Sequence, residues 1–210
     1  MSRTAIVVAL AAWLPGANGM SGAQIIDRVL AVVGGAPITL SDVTAAIRFG
    51  FVREAAAGED PLTAALNAII ERQLQLVEVN RYAPAEPSDA RIEAGLAEIR
   101  ARFARENALD GAMKETGVTP DQLRAHVRDS LRIETYLQQR FGGSYQPGDE
   151  EVARYYRSHE SAFVRGGVLR PYEEVRDEAR QRLVEERSAA LVREWIAGLR
   201  RRADVTILPK

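Results

Sequence analysis

Cysteine is absent from the 210 residues, and there are only two histidines, three methionines and two lysines. Without cysteine there is no disulfide, no thiol nucleophile, no Cys-ligated metal and no lipid anchor on a Cys. His126 and His159 alone do not make a multi-histidine centre, so no metal site is expected. Three methionines do not furnish the adaptable Met-rich surface of some promiscuous binders. Long hydrophobic runs are missing too. Thr4 to Leu14 is short, and Val29 to Leu40 is broken by Gly34, Gly35 and Pro37; a spanning helix needs about 20 residues. Nor does one sign of charge dominate. The 28 basic residues, 26 of them Arg, are interspersed among 29 acidic ones for a net −1. That balance gives no reason to expect a nucleic-acid or membrane-surface partner. Gly34-Gly35 lacks the Lys-Ser/Thr that follows in a phosphate-binding loop, so no nucleotide or other cofactor is expected.

What is present begins with a leader. Arg3 precedes the apolar run to Leu14, which Pro15 and Gly16 end. Small residues follow, allowing cleavage after Ala17-Asn18-Gly19 or after Ser21-Gly22-Ala23. A positive start, an apolar core and a small-residue site make a secretory signal peptide. Residues 1–23 are therefore expected to be removed on export, leaving residues 24–210 as the mature chain.

The mature chain opens with β-rich sequence, Ile25 to Val33, then Gly34-Gly35 as a tight turn and Ala36 to Thr39 as a return strand. Pro37 confines that return strand to an edge. Asp204 to Leu208 is the one other stretch that reads as a strand, and it is expected to pair with the hairpin and tie the chain ends together. Helices fill the interval. One is expected from Ser41 to about Ala57, and a second opens at Pro61 with Leu62, Leu66, Ile69, Ile70, Leu74 and Val77 on one face. Ser88 caps a third, Asn107 to Gly117 is a short helix or connector, and Thr119-Pro120 starts a strong helix through Leu137. After a linker at residues 142–148, one helix is expected from Asp149 to Phe163. The last runs from Pro171 to about Arg202, with a single stripe of Val175, Ala179, Leu183, Leu191, Trp195 and Leu199. The fold class is mainly α with a small antiparallel terminal sheet. Its parts are residues 24–141, the linker, and residues 149–210.

No catalytic constellation emerges. His159 shares a stripe with Val152, Tyr156 and Phe163, which fits a hydrogen-bonded boundary histidine better than a catalyst without a partner. His126, between Arg124 and Arg128, reads as a helix-surface residue. Glu173-Glu174 and Glu185-Glu186 are adjacent on helices and do not face each other. Arg200-Arg201-Arg202 falls in a last turn, where cations complement the helix dipole. Phe49, Phe51, Tyr136, Phe141 and Tyr145 stand outside the cleanest core stripes or near helix ends, and are candidate residues for binding apolar segments; the alternative is that they close the core between helices.

Two segments carry a family resemblance. Ile26 to Val33 with Pro37-Ile38-Thr39-Leu40-Ser41-Asp42-Val43 resembles the N-terminal signature of SurA-type periplasmic chaperones. Gly117 to Arg124, followed by Val127-Arg128, Leu131 and Ile133, is similar to that family's later helix motif. The resemblance implies a helical chaperone module completed by a C-terminal helix and strand, in the periplasm. Family members usually insert parvulin-type prolyl isomerase domains between those parts. Here only Val164 to Pro171 separates the last two helices, whereas an independent domain needs about 50 residues. The expectation is an ATP-independent holding chaperone for unfolded exported polypeptides, outer-membrane protein precursors in particular, that is not an enzyme. Outer-membrane assembly machinery is a further candidate partner, and the terminal sheet with the long last helix permits a homodimer. Alternatives are an assembly subunit for one envelope protein and a degenerate prolyl isomerase.

Overall fold

The structure, a computed structural model, describes residues 27–103, 108–143 and 145–209. The leader expected at residues 1–23, with its cleavage sites, and the strand residues Ile25 and Ile26 lie outside the described residues. So do Asn107 and Ser144.

Strands β1 (Val29–Val33) and β2 (Ala36–Thr39) form the expected hairpin. Gly34 and Gly35 both turn at positive φ, 56° and 84°, which a two-residue turn matched to strand twist requires. The C-terminal strand β5 (Val205–Ile207) pairs antiparallel with β1, placing Val33 opposite Val205 and Ala31 opposite Ile207. The order is β2-β1-β5, so Pro37 is on an edge as its missing N–H demands.

Seven helices are described. Helix α1 (Leu40–Arg48) starts from a capping box in which Thr39 and Asp42 bond reciprocally. It is shorter than the sequence suggested. Gly50 adopts φ 66° and the Phe51 N–H turns back to the Ala46 carbonyl, so the chain leaves the helix at Phe49 and does not run on to Ala57. Helices α2 (Pro61–Tyr82), α3 (Asp89–Ala101) and α4 (Ala108–Thr116) follow, then α5 (Pro120–Phe141) with a second capping box between Thr119 and Gln122. Helix α6 (Asp149–Ser158) also stops early, because Ser158 Oγ donates to the Arg154 and Tyr155 carbonyls and His159 Nδ1 to Tyr155. A 3₁₀ turn (Glu160–Phe163) carries the chain on. The segment between the last two helices contains a miniature hairpin, β3 (Val164–Arg165) and β4 (Val168–Leu169), with Gly166 and Gly167 at φ 59° and 81°. It repeats the turn chemistry of Gly34-Gly35.

Helix α7 (Tyr172–Arg202) has 31 residues, about 46 Å at ~1.5 Å per residue. Its buried residues do not form one stripe. Val175, Ala179 and Leu183 join Val152, Tyr156 and Phe163 in a small core beside α6. Trp195 and Leu199 pack instead on the sheet and α2, against the cluster of Leu30, Val33, Ile70 and Leu74. At about 100° per residue the two sets are centred about 180° apart around the helix. Leu191, expected on a continuous stripe, is 38% exposed. The helix therefore serves two lobes on nearly opposite faces.

A second core in the larger lobe joins α1, α3, α4 and α5 through Phe49, Ile92, Leu96, Ala112, Leu123 and Val127. Gly95 lets α3 approach α5: a Cβ there would lie 2.6 Å from Val127 Cγ1. Gly111 on α4 has nothing within 4 Å of such a Cβ. Glycine weakens a helix interior by about 0.5–1 kcal/mol relative to alanine, whereas overpacking costs about 1–3 kcal/mol. Gly111→Ala should therefore raise stability in urea unfolding and Gly95→Ala should lower it, with Val127→Ala relieving the second effect. Equal stabilisation by both substitutions would contradict this packing.

Candidate functional site

Two grooves draw together residues that the sequence singled out. The first, of about 590 Å³, lies where the end of α5 turns beside the middle of α7. Phe141, Gly142, Gly143 and Tyr145 form one wall, and Val184, Ala189 and Val192 the other, with Glu185 and Arg193 at its edges. The groove exists because α7 changes face here. Residues 184–192 have passed the small core of α6 and have not yet reached the sheet.

From Phe141 a chain of aromatic rings continues away from the groove. Phe141 and Trp195 rings lie 5.8 Å apart, Trp195 meets Tyr136 at 5.6 Å, and Tyr136 meets Tyr82 at 5.6 Å. Arg140 sits over both Tyr136 and Phe141, at 6.0 and 5.5 Å, and Arg187 over Tyr145 at 5.9 Å. Arginine stems and ring faces of this kind can pack against apolar side chains without demanding a sequence. Arg180 anchors the chain between the lobes, donating to the Pro147 carbonyl at 2.7 Å and pairing with Asp149 at 2.5 Å.

The second groove, of about 390 Å³, lies between α1, α2 and α5. Phe51 stacks on His126 at 3.6 Å and on Phe49 at 5.3 Å. Arg72 Nη2 donates to the His126 carbonyl at 3.0 Å.

The five aromatic candidates thus separate. Phe141 and Tyr145 are half-buried and share the first groove, and Phe51 is half-buried in the second. Phe49 and Tyr136, 1% and 5% exposed, are core residues, packed by α1 turning away at Gly50 and by Trp195. Phe49 lines neither groove, and Tyr136 lines a smaller pocket with Tyr82, Pro84, Gln139 and Arg140. Val184, Ala189 and Val192 were not singled out by sequence, because the groove depends on where α7 loses its neighbours. The i, i+8 pair of valines was the available signal.

The histidines also part ways. His159 is a boundary residue, stacked on Tyr155 at 4.1 Å and bonded to its carbonyl at 2.9 Å. His126 is half-buried at the groove rather than exposed on the helix face. Phe51 covers it, and burial, then the charge of Arg72, lower its pKa to about 3. Among the described residues no cluster of His, Asp and Glu is placed to hold a metal, and no helix is long and apolar enough to cross a membrane.

A histidine depressed below its unfolded value of about 6.5 makes the unfolded chain the better proton acceptor. Stability is then fully present above about pH 6.5 and falls as the pH drops toward 3. Urea unfolding should show a loss of up to about 2 kcal/mol between about pH 6.5 and 5. His126→Gln should flatten that slope; an unchanged slope would contradict the burial of a neutral His126.

No protein-family model matches the sequence, and no curated protein matches it. Among solved structures, a similar one comes from Campylobacter jejuni, where the virulence factor PEB4 and the periplasmic protein Cj1289 are two structurally related SurA-like chaperones. The alignment covers 87% of this chain and 100% of that chain, with a TM-score of 0.56 and 12% identity. At that identity the likeness is one of fold. This chain has the fold of a SurA-like chaperone.

Proposed function

We propose that this protein is a periplasmic, ATP-independent holding chaperone that binds unfolded exported polypeptides in the groove between α5 and α7. The observation that carries the reading is the groove itself: half-exposed Phe141 and Tyr145 facing Val184 and Val192 where two lobes meet on one helix. A holding chaperone needs apolar surface that tolerates many sequences on a frame that does not itself aggregate. The SurA-like fold supports that reading.

Release without nucleotide requires weak, rapidly reversed contacts, which ring faces and arginine stems provide. Outer-membrane β-barrel precursors are the client class we favour, because their alternating apolar strands aggregate when exposed. A signal peptide at residues 1–23 would deliver the protein to the same compartment. The role is one of binding rather than catalysis. The eight residues from Val164 to Pro171 include only the β3–β4 hairpin, against the roughly 50 residues an inserted domain needs.

Residues 24–210 contain one tryptophan, Trp195, in contact with Phe141. When a urea-unfolded outer-membrane barrel protein is diluted into buffer, a few-fold molar excess of the mature chain should suppress light scattering without ATP, and the emission of Trp195 should shift. The Phe141→Ala/Tyr145→Ala variant should need several-fold more protein for equal suppression. No suppression beside a working positive control would sink the holding role. A single tight folded partner in its place would favour an assembly subunit.

A further inference from the structure

The groove between α1, α2 and α5 contains a cation that the fold leaves without an ionic partner. Arg72 lines it, and burial is the main influence on its guanidinium, lowering its pKa. Of the five N–H donors a guanidinium carries, the structure shows one in use, on the His126 carbonyl at 3.0 Å. Among the described residues no carboxylate forms an ion pair with Arg72. Asp129, whose charge reaches it from farther off, is paired with Arg128 at 3.1 Å and Arg132 at 3.7 Å. Asp42, at the same groove, holds the Thr39 N–H and hydroxyl with its Oδ2 at 2.8 and 2.9 Å. Neutral His126 adds no charge. The rest of the lining is uncharged, with Phe51, Ile69 and Ile133 among its apolar residues and Gln73, Gln75 and Gln122 among its polar ones.

A half-buried cation beside apolar side chains favours a ligand that brings its own anion and its own apolar group. Guanidinium bonds to carboxylate are charge-assisted and often bidentate. A volume of about 390 Å³ lies at the small end of ligand pockets and suits one or two residues rather than a long segment. We propose that this groove binds a carboxylate attached to an apolar group, as found at the free C-terminus of an unfolded polypeptide, with Arg72 taking the carboxylate and Phe51 and Ile69 flanking the side chain. The holding role is assumed only in naming an unfolded polypeptide as the source.

The test uses short peptides, which do not aggregate, so its outcome is independent of light scattering. Fluorescein-labelled Gly-Ser-Gly-Phe with a free C-terminal carboxylate is compared with its C-terminal amide by fluorescence anisotropy on the mature chain. The acid should bind at least tenfold more tightly than the amide. Arg72→Met should bring the two within twofold while leaving the amide unchanged, and Arg72→Lys should fall between. Competition by 3-phenylpropionate distinguishes the sources. Weak competition means that the groove reads a chain end, and competition equal to the peptide acid means that it reads any apolar carboxylate. Equal binding of acid and amide by the native protein overturns the proposal, as does no binding of either at millimolar concentration. A preference that survives in Arg72→Met overturns it too.

Discussion

The structure depends on one helix being buried on two different faces. Helix α7 must give Val175, Ala179 and Leu183 to the small core with α6, and Trp195 and Leu199 to the sheet and α2. These sets point about 180° apart, so no neighbour can follow the helix along its whole length. Its middle turns are left beside a turn of the chain rather than beside another helix. The aromatic groove at residues 138–145 and 184–193 is the consequence of that geometry. A chain with a single continuous stripe on α7 would have closed it.

The terminal sheet sets where α7 must end. Strand β5 can reach β1 only if the last helix returns to the start of the chain, and Leu199 and Ala203 bury against the hairpin as it does so. Arg200 secures the same end by donating to Asn67 at 2.9 Å. The small lobe is fixed to the other end of α7 by its own core and by Arg180 on Pro147 and Asp149. Among the described residues no buried polar or charged residue sits in either core. Arg72 lines the groove between α1, α2 and α5, and Arg193 the one beside α7.

Local chemistry was legible in the sequence and tertiary compensation was not. Gly34-Gly35, Pro37, Pro61, Ser88 and Thr119-Pro120 each act within a few residues, and each fixes the turn, edge or cap that its type dictates. Pairing of the last strand with the first hairpin followed from a two-stranded ribbon being too weak alone. The early ends of α1 and α6 were not legible, because they depend on the Phe51 N–H reaching Ala46 and on Ser158 and His159 competing for helical carbonyls. Val164 to Leu169 carried a readable hairpin signal in Gly166-Gly167, too short to stand out beside its helical neighbours. His126 shows the same limit. Its arginine neighbours marked it as exposed, whereas the loop after α1 folds Phe51 over its ring.

Hydrogen exchange by mass spectrometry, with and without an unfolded barrel protein, tests the account most directly. The central claim is that the face change of α7 creates the site where clients bind. Bound client should slow exchange in residues 138–145 and 184–193 and leave the β2-β1-β5 sheet unaffected. Protection confined to the sheet edges or to the β3–β4 hairpin, with these two segments unchanged, would contradict it.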